Sequence, residues 1–349
     1  MSSPNTSSPE NLIPGLNQHK RIPLGHGPTP IDHMPRLGKQ LGIELWAKRD
    51  DCNGLAFGGN KVRQLEYYLG PGMEKNADTV LITGALQSNF VRLTAAAACK
   101  LGWQAHVQLE ERVPSNDQLY RTSGNVLLNN LLGAVTTYYP EGEDEAGADR
   151  ALDNLAQNLQ SKGRRPYVIH LGLDSIPYGG LGYIRAAAET FIQVQQSKTE
   201  PDFVIIPSGS GLTHAGFLVG ARAVGWKVPV IGICVRRDRD SQIKRIKQRS
   251  KELEKMIGQP GLITDEDIEI SDTLLAPGYG QMNDGVKEAI DKAAQLEALF
   301  LDPVYTGRTM AGLFDQVRNK RIPQGSKVLF IHTGGNPAIF AYQNAITNF

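Results

Sequence analysis

Residues 203–216 read FVIIPSGSGLTHAG, and the order of residue types in that stretch decides the fold. An apolar, β-branched run, Phe203–Pro207, gives way to a turn of small residues, and a helical pattern opens behind it. A strand that is apolar without alternation is buried on both faces, as in a parallel sheet covered by helices. The same succession repeats along the chain. Strand-like runs fall at Glu44–Lys48, Thr79–Thr83, Ala105–Leu109, Ala134–Tyr139, Tyr167–Leu171, Val228–Val235 and Val328–His332. Helical spacing falls at Asn89–Leu101, Asp117–Leu132, Gly147–Gln160, Gly182–Gln196, Thr213–Gly225, Gln242–Ile257, Asp284–Ala298 and Thr309–Asn319. Short strands alternating with longer helices predict an α/β protein with largely parallel sheets.

Composition removes several classes of function. The 349 residues carry 37 Lys+Arg against 36 Asp+Glu, a formal net charge of +1. That balance speaks against a protein that holds nucleic acid electrostatically. No apolar run approaches the roughly 18 residues that cross a bilayer, so no membrane association is expected. The first residues, MSSPNTSSPENLIPGLNQHK, have no basic stretch followed by an apolar core, so no secretory signal is expected; they are Ser/Pro/Asn-rich and predict a flexible segment over 1–20. Three scattered cysteines, Cys52, Cys99 and Cys234, suit a reducing cytoplasm and read as buried small hydrophobes. The mixed-sign run 236–255 reads as a solvated amphipathic helix. The length suggests two domains.

In doubly wound folds, ligands sit where strands end and helices begin, and four such turns stand out. The first is Ser208–Gly216, SGSGLTHAG. Its small residues let the backbone approach a ligand, and the helix N-terminus behind them favours an anion. Ser208, Ser210 and Thr213 add hydroxyls. No GxGxxG and no GK[ST] is present, so a monophosphate suits the turn better than a dinucleotide or ATP. The second is AFGGNKVRQLEYYL, where Lys61 begins a helix after Gly58-Gly59-Asn60. A buried lysine there would be nucleophilic through a lowered pKa; a solvated first-turn lysine is the alternative. In the third, Gln87-Ser88-Asn89 precede an alanine-rich helix and read either as a cap or as donors to a substrate carboxylate. The fourth pairs DPVYTG (302–307) with LFIHTGGNP (329–337), which place Tyr305 and Thr333 at strand ends; Tyr279 in APGYG joins them as a pocket candidate. His170, His214 and His332 lack metal-ligand spacing, and no GxSxG is present.

FGGNK, QSN, SGSGLTHAG, PGYG, DPVYTG and HTGG occur in an order that resembles the D-cysteine desulfhydrase and 1-aminocyclopropane-1-carboxylate deaminase family of pyridoxal-phosphate enzymes. The likeness runs from about Gly27 to about Tyr342. It implies the tryptophan synthase β-like, fold-type II architecture: two doubly wound αβα domains with pyridoxal 5′-phosphate in the cleft between them. A large domain of residues 21–64 plus 173–349 and a small domain of 65–172 follow, with a homodimer usual for the family. The resemblance makes Lys61 the Schiff-base lysine and Ser208, Gly209, Ser210, Gly211, Leu212 and Thr213 the phosphate cradle. Asn89 then hydrogen-bonds the cofactor's 3′-oxygen, and Gln87, Ser88 and Asn89 hold the substrate. Tyr279 and Tyr305 are pocket tyrosines, either of them a candidate for the acid.

Within the family, ring-opening deaminases carry Glu after the DPVY tyrosine and Leu in place of the HTGG threonine; here these positions are Thr306 and Thr333. A hydroxyl at the pyridine nitrogen gives a weaker electron sink than a carboxylate. A β-elimination tolerates that, so the likeness is closest to the D-cysteine desulfhydrase branch, a carbon–sulfur lyase yielding pyruvate, ammonia and sulfide from a small amino acid. Three departures bear on the substrate: Gln64 stands where lysine is common, Phe90 where histidine is common, and GLDSIPYGG (172–180) replaces a Gly-Gly-Ser-Ser-like turn. An L-cysteate sulfo-lyase, another β-substituted-alanine lyase, the deaminase itself and a non-catalytic cofactor- or phosphate-binding protein are the alternatives.

Overall fold

The structure is a computed structural model that describes residues 8–347. Its strands are β1 (Ile31–His33), β2 (Glu44–Arg49), β3 (Thr79–Ala85), β4 (Gln104–Glu110), β5 (Val135–Tyr139), β6 (Pro166–Ile169), β7 (Phe203–Ser208), β8 (Val230–Cys234), β9 (Glu269–Ser271) and β10 (Lys327–His332). A six-stranded sheet runs β1-β2-β10-β7-β8-β9 and a four-stranded sheet runs β5-β4-β3-β6. Among the described residues only β1 pairs antiparallel, with β2, and every other pairing is parallel. The strands of the smaller sheet all lie between residues 79 and 169, and those of the larger sheet all lie outside that interval.

Burial explains the uninterrupted apolar strands. Val204, Ile205 and Ile206 are all fully buried, because helices cover both faces of the sheet. On one face, the helices Tyr178–Ser197 and Leu212–Ala223 pack backbone to backbone. A Cβ on Gly216 would lie 2.4 Å from the Gly180 carbonyl oxygen, so only glycine admits this approach. Leu181, Ile184, Phe217 and Leu218 fill the seam, each burial contributing roughly 1.5–3 kcal/mol.

Three expectations need correction. The opening segment is not flexible from residue 8 onward. Ser8 caps the helix Pro9–Leu12 through the Asn11 amide at 3.2 Å, and Ile13 and Leu16 enter the core; two apolar residues outweigh the polar composition around them. Residues 1–7 of that expectation lie outside the described residues. The helix expected over 117–132 is two helices, Gln118–Thr122 and Gly124–Leu131, broken where Ser123 is extended (φ −101°, ψ −171°). Of the three cysteines, only Cys234 is buried; Cys52 and Cys99 are exposed. Among the described residues no helix is long and apolar enough to cross a membrane, and no cluster of His, Cys, Asp and Glu could hold a metal ion.

Candidate active site

The parallel strands of both sheets end at one cleft of about 1200 Å3, its open mouth included. Thr83, Gly84 and Ala85 at the end of β3 form one wall, with Ser88, Asn89 and Phe90 from the turn that follows. Pro207 and the loop after β7 form the opposite wall, and Thr333 after β10 closes the floor. Open α/β sheets bind ligands at such strand ends.

Lys61 is the second residue of the helix Asn60–Glu74. The chain reaches it through Gly59, whose φ of +120° only glycine adopts readily, and a Cβ there would lie 2.9 Å from the Thr333 carbonyl. The Lys61 amine donates to Gln64 Oε1 at 3.0 Å and lies 4.8 Å above the Phe90 ring. No ion pair holds it among the described residues, and burial pushes its ammonium from the ordinary 10.5 down to about 8. It is therefore a half-buried amine facing the cleft, its ammonium weakened to about 8, not a solvated first-turn lysine.

The loop Gly209–Gly211 runs along the cleft ahead of the helix Leu212–Ala223. Its carbonyls are tied back from the far side. Gln242 Nε2 donates to Gly209 O at 3.1 Å, Arg237 Nη1 to the same oxygen at 3.3 Å, and Arg245 Nε to Ser210 O at 2.7 Å. In a trans peptide the N–H points opposite to the C=O. The amides of Ser210 and Gly211 thus face away from these side chains, and no acceptor among the described residues takes them. Thr213 Oγ1 accepts from Asn60 Nδ2 and Gln64 Nε2, each at 2.9 Å, which leaves its own hydrogen to donate. Free amides, a hydroxyl and a helix N-terminus together make an anion cradle.

Ser88 caps the helix Asn89–Leu101, accepting from the Val91 amide at 3.2 Å, and lines the cleft as well, so its two readings coexist. Asn89 is oriented by its neighbours. Its Oδ1 accepts from Arg92 Nη1 at 3.2 Å and Asn125 Nδ2 at 2.9 Å, which turns its own amide donor outward. Tyr279 and Tyr305 meet hydroxyl to hydroxyl at 2.6 Å. Burial, then Tyr279 beside it, hold the Tyr305 phenol well above its ordinary value. Thr333 is nearly buried, yet its hydroxyl has no hydrogen-bond partner among the described residues.

Three expected residues face elsewhere. Gln87 donates to the carbonyls of Tyr120 (2.7 Å) and Ser123 (3.0 Å) and accepts from the Asn125 amide, so it braces the break between two helices instead of reaching a ligand. Ser208, the last residue of β7, turns its hydroxyl to His214 Nδ1 at 3.1 Å and Gln242 Nε2 at 2.9 Å, away from the cleft. Leu212 packs into the core. Thr306 is also committed: its hydroxyl donates to Asp302 Oδ1 at 2.7 Å inside the turn that sets Tyr305. The sequence reading missed the charged side chains around the cleft, Arg112 with Glu110, and Arg236 and Arg237 with Glu145. It also missed Arg245, on the run expected to be solvated. The helix there, Arg239–Met256, buries Gln242, Arg245 and Arg249 on its inner face.

A deprotonable amine beside a metal-free anion cradle, an outward amide donor and a neutral hydroxyl suits a phosphate-bearing aromatic aldehyde. Comparison with known proteins agrees. The pattern of the family described as "Pyridoxal-phosphate dependent enzyme" matches residues 22–334. The chain is 38% identical over 339 residues to a 1-aminocyclopropane-1-carboxylate deaminase of Rhizobium rhizogenes, covering 95% of this chain and 99% of that one. It is 40% identical over 327 residues to a D-cysteine desulfhydrase of Salmonella typhi, covering 94% and 97%. The crystal structure of a deaminase homologue superposes with a TM-score of 0.85 at 33% identity, covering 97% and 98%. With the fold, the cleft and these relatives in agreement, this chain belongs to the pyridoxal-phosphate dependent enzymes of fold type II, in the lyase group that includes both the deaminases and the desulfhydrase, and takes pyridoxal 5′-phosphate as its cofactor.

Proposed function

We propose that the protein is a carbon–sulfur lyase of the D-cysteine desulfhydrase kind, which with one water converts D-cysteine to pyruvate, ammonia and sulfide, or a closely related β-substituted alanine to pyruvate, ammonia and its displaced β-substituent. The observation that carries the reading is Thr333, a neutral hydroxyl on the cleft floor with no hydrogen-bond partner among the described residues. Facing a pyridine nitrogen, a hydroxyl does not hold the ring protonated as a carboxylate would. Expulsion of a good leaving group from the β-carbon needs less electron withdrawal than opening a cyclopropane ring.

When bound, pyridoxal 5′-phosphate supplies an aldehyde that joins an amine and a conjugated ring that withdraws the electrons of a broken Cα–H bond. The other steps fall to side chains. The Ser210 and Gly211 amides and the Thr213 hydroxyl would hold the phosphate, and Asn89 Nδ2 would be the donor to the ring's 3′-oxygen. Ser88 Oγ donates to the substrate carboxylate and fixes which bond at the α-carbon faces Lys61. The neutral Nζ of Lys61 then takes the α-proton, a step in which a positioned base supplies roughly 10²–10⁴-fold. Tyr305 stays protonated at neutral pH and, with Tyr279 sharing its hydrogen bond, is the donor to the departing sulfur.

The deciding experiment is a substrate panel of D-cysteine, L-cysteine, L-cysteate, D-serine and 1-aminocyclopropane-1-carboxylate, scored for pyruvate against 2-oxobutyrate. Pyruvate with sulfide from D-cysteine is expected. 2-Oxobutyrate from the cyclopropane amino acid, with no pyruvate from D-cysteine, would make the protein a deaminase instead.

A further inference from the structure

The hydrogen bond that Lys61 makes continues beyond its first partner. Gln64 lies one helical turn on and is fully buried. Its Oε1 accepts from Lys61 Nζ at 3.0 Å, and its Nε2 donates to Thr213 Oγ1 at 2.9 Å. The side-chain amide is thus held at both ends, by the amine on one side and the anion cradle on the other. Its orientation follows from the chemistry: an ammonium has three donors and no acceptor, so only the carbonyl end of Gln64 can face it.

We propose that Gln64 is the positioning residue for Lys61: it docks the ε-amine beside the cradle whenever that amine is not bonded to the cofactor, and it favours the protonated form. The proposal rests on Lys61 being the cofactor's lysine. A carbonyl oxygen at 3.0 Å stabilises the ammonium over the neutral amine, as does the face of Phe90. Burial works the other way and prevails, leaving the amine near about 8. Without Gln64 the balance would tip further toward the neutral form.

No other group rivals it for this task. On the same helix, Arg63 turns to Asp50 and Glu189, and Glu66 to Arg21. Across the cleft, Glu110 is held by Arg112, and Glu145 by Arg236 and Arg237. Asp149 faces His170, and Arg245 is bonded to the Ser210 carbonyl. The Tyr279 and Tyr305 hydroxyls bond each other. None of these bonds to Lys61 among the described residues.

The test measures how fast cofactor-free protein acquires the visible absorbance of bound cofactor as a function of pH, since only the neutral amine attacks the aldehyde. Pyridoxal 5′-phosphate is the probe, and pyridoxal, which lacks the phosphate, is a second one that removes any repulsion by a new carboxylate near the cradle. The midpoint should move up by about one pH unit in Gln64→Glu, where a carboxylate replaces the carbonyl, and down by about half a unit in Gln64→Met, where no acceptor remains. Opposite shifts are expected with both probes, and a merely structural role would not produce them. Shifts in the same direction, or no shift in either, would overturn the proposal. If Gln64→Met does not fold, Gln64→Glu decides alone, and an unmoved midpoint overturns it. A Lys61→Ala protein that still acquired the band would sink the assignment of the lysine itself, a separate result from the Gln64 arms.

Discussion

Replacing Thr213 by valine isolates what one oxygen does at the junction of cradle and lysine. Valine nearly keeps the shape of threonine but removes Oγ1, which accepts from Asn60 Nδ2 and Gln64 Nε2 at 2.9 Å each. Asn60 is only half-buried, so water replaces that bond at little cost. Gln64 is fully buried, and its stranded N–H costs about 1–3 kcal/mol. With roughly 2.1 cal/mol/K of unfolding entropy per residue, a chain of 349 residues gains about 0.7 kcal/mol/K, so cofactor-free Thr213→Val should melt about 1–4 °C lower. Cofactor affinity should fall separately. A hydroxyl hydrogen bond to a phosphate contributes about 1.5–3 kcal/mol, roughly ten- to a hundredfold in Kd. Absorbance titration of cofactor-free protein reads the second effect and calorimetry the first. Thr213→Ser keeps the oxygen and should recover most of the affinity. The reasoning fails if the valine protein binds cofactor as the wild type does, or if the serine protein loses as much as the valine one.

Two further outcomes follow from the same cleft. The Lys61 ammonium has a folded-state pKa of about 8 against an ordinary 10.5, so between those values the unfolded chain holds more protons and stability rises with pH. Below about 8 the full cost of burying the charge is present. Cofactor-free Lys61→Met should therefore be more stable than wild type in urea at pH 7, with the gap closing toward pH 10; a gap that ignores pH would contradict a buried amine. Tyr305→Phe deletes one half of the 2.6 Å hydroxyl pair, and kcat should fall roughly 10²–10⁴-fold with little change in KM. Steady-state kinetics that differ from wild type by less than about twofold, in both Tyr305→Phe and Tyr279→Phe, would remove the pair from proton transfer.

The parallel architecture was legible because burial on both faces writes itself into a strand as an unbroken apolar run, as in Phe203–Pro207. β1 and β9 escaped notice because three residues carry no periodicity. The break at Ser123 is tertiary in origin: its partner, Gln87, lies 36 positions earlier in the chain. In the site, residues on turns directly after strands could be read one motif at a time, since the ligand-facing position is set by the local backbone. Ser208 went wrong by one step of strand alternation, its side chain falling on the His214 side of β7. Asn125 and Arg92, which aim Asn89, belong to no motif: Arg92 sits one turn along the same helix, and Asn125 is brought to both of them by a separate helix.

The run 236–255 shows most clearly what an amphipathic pattern leaves unsaid. Twenty residues dense in charge read as a solvated face, and the outer face of the helix Arg239–Met256 is that. The inner face does something composition cannot express. Gln242 and Arg245 on that face, with Arg237 just ahead of the helix, hydrogen-bond to the carbonyls of the loop after β7. A donor on a carbonyl polarises its peptide, so the N–H at the far end becomes a stronger donor in its turn. The positive groups behind the loop therefore serve an anion in front of it without touching that anion. They also supply charge to a cradle whose other side-chain partners, Thr213 and Gln64, are neutral. Arg237 bonds Glu145 of the smaller-sheet half as well, at 3.2 Å. The loop that would hold the phosphate is thereby tied to the smaller-sheet half across the cleft. A helix that looks like surface in the sequence is, in the fold, the back wall of the site.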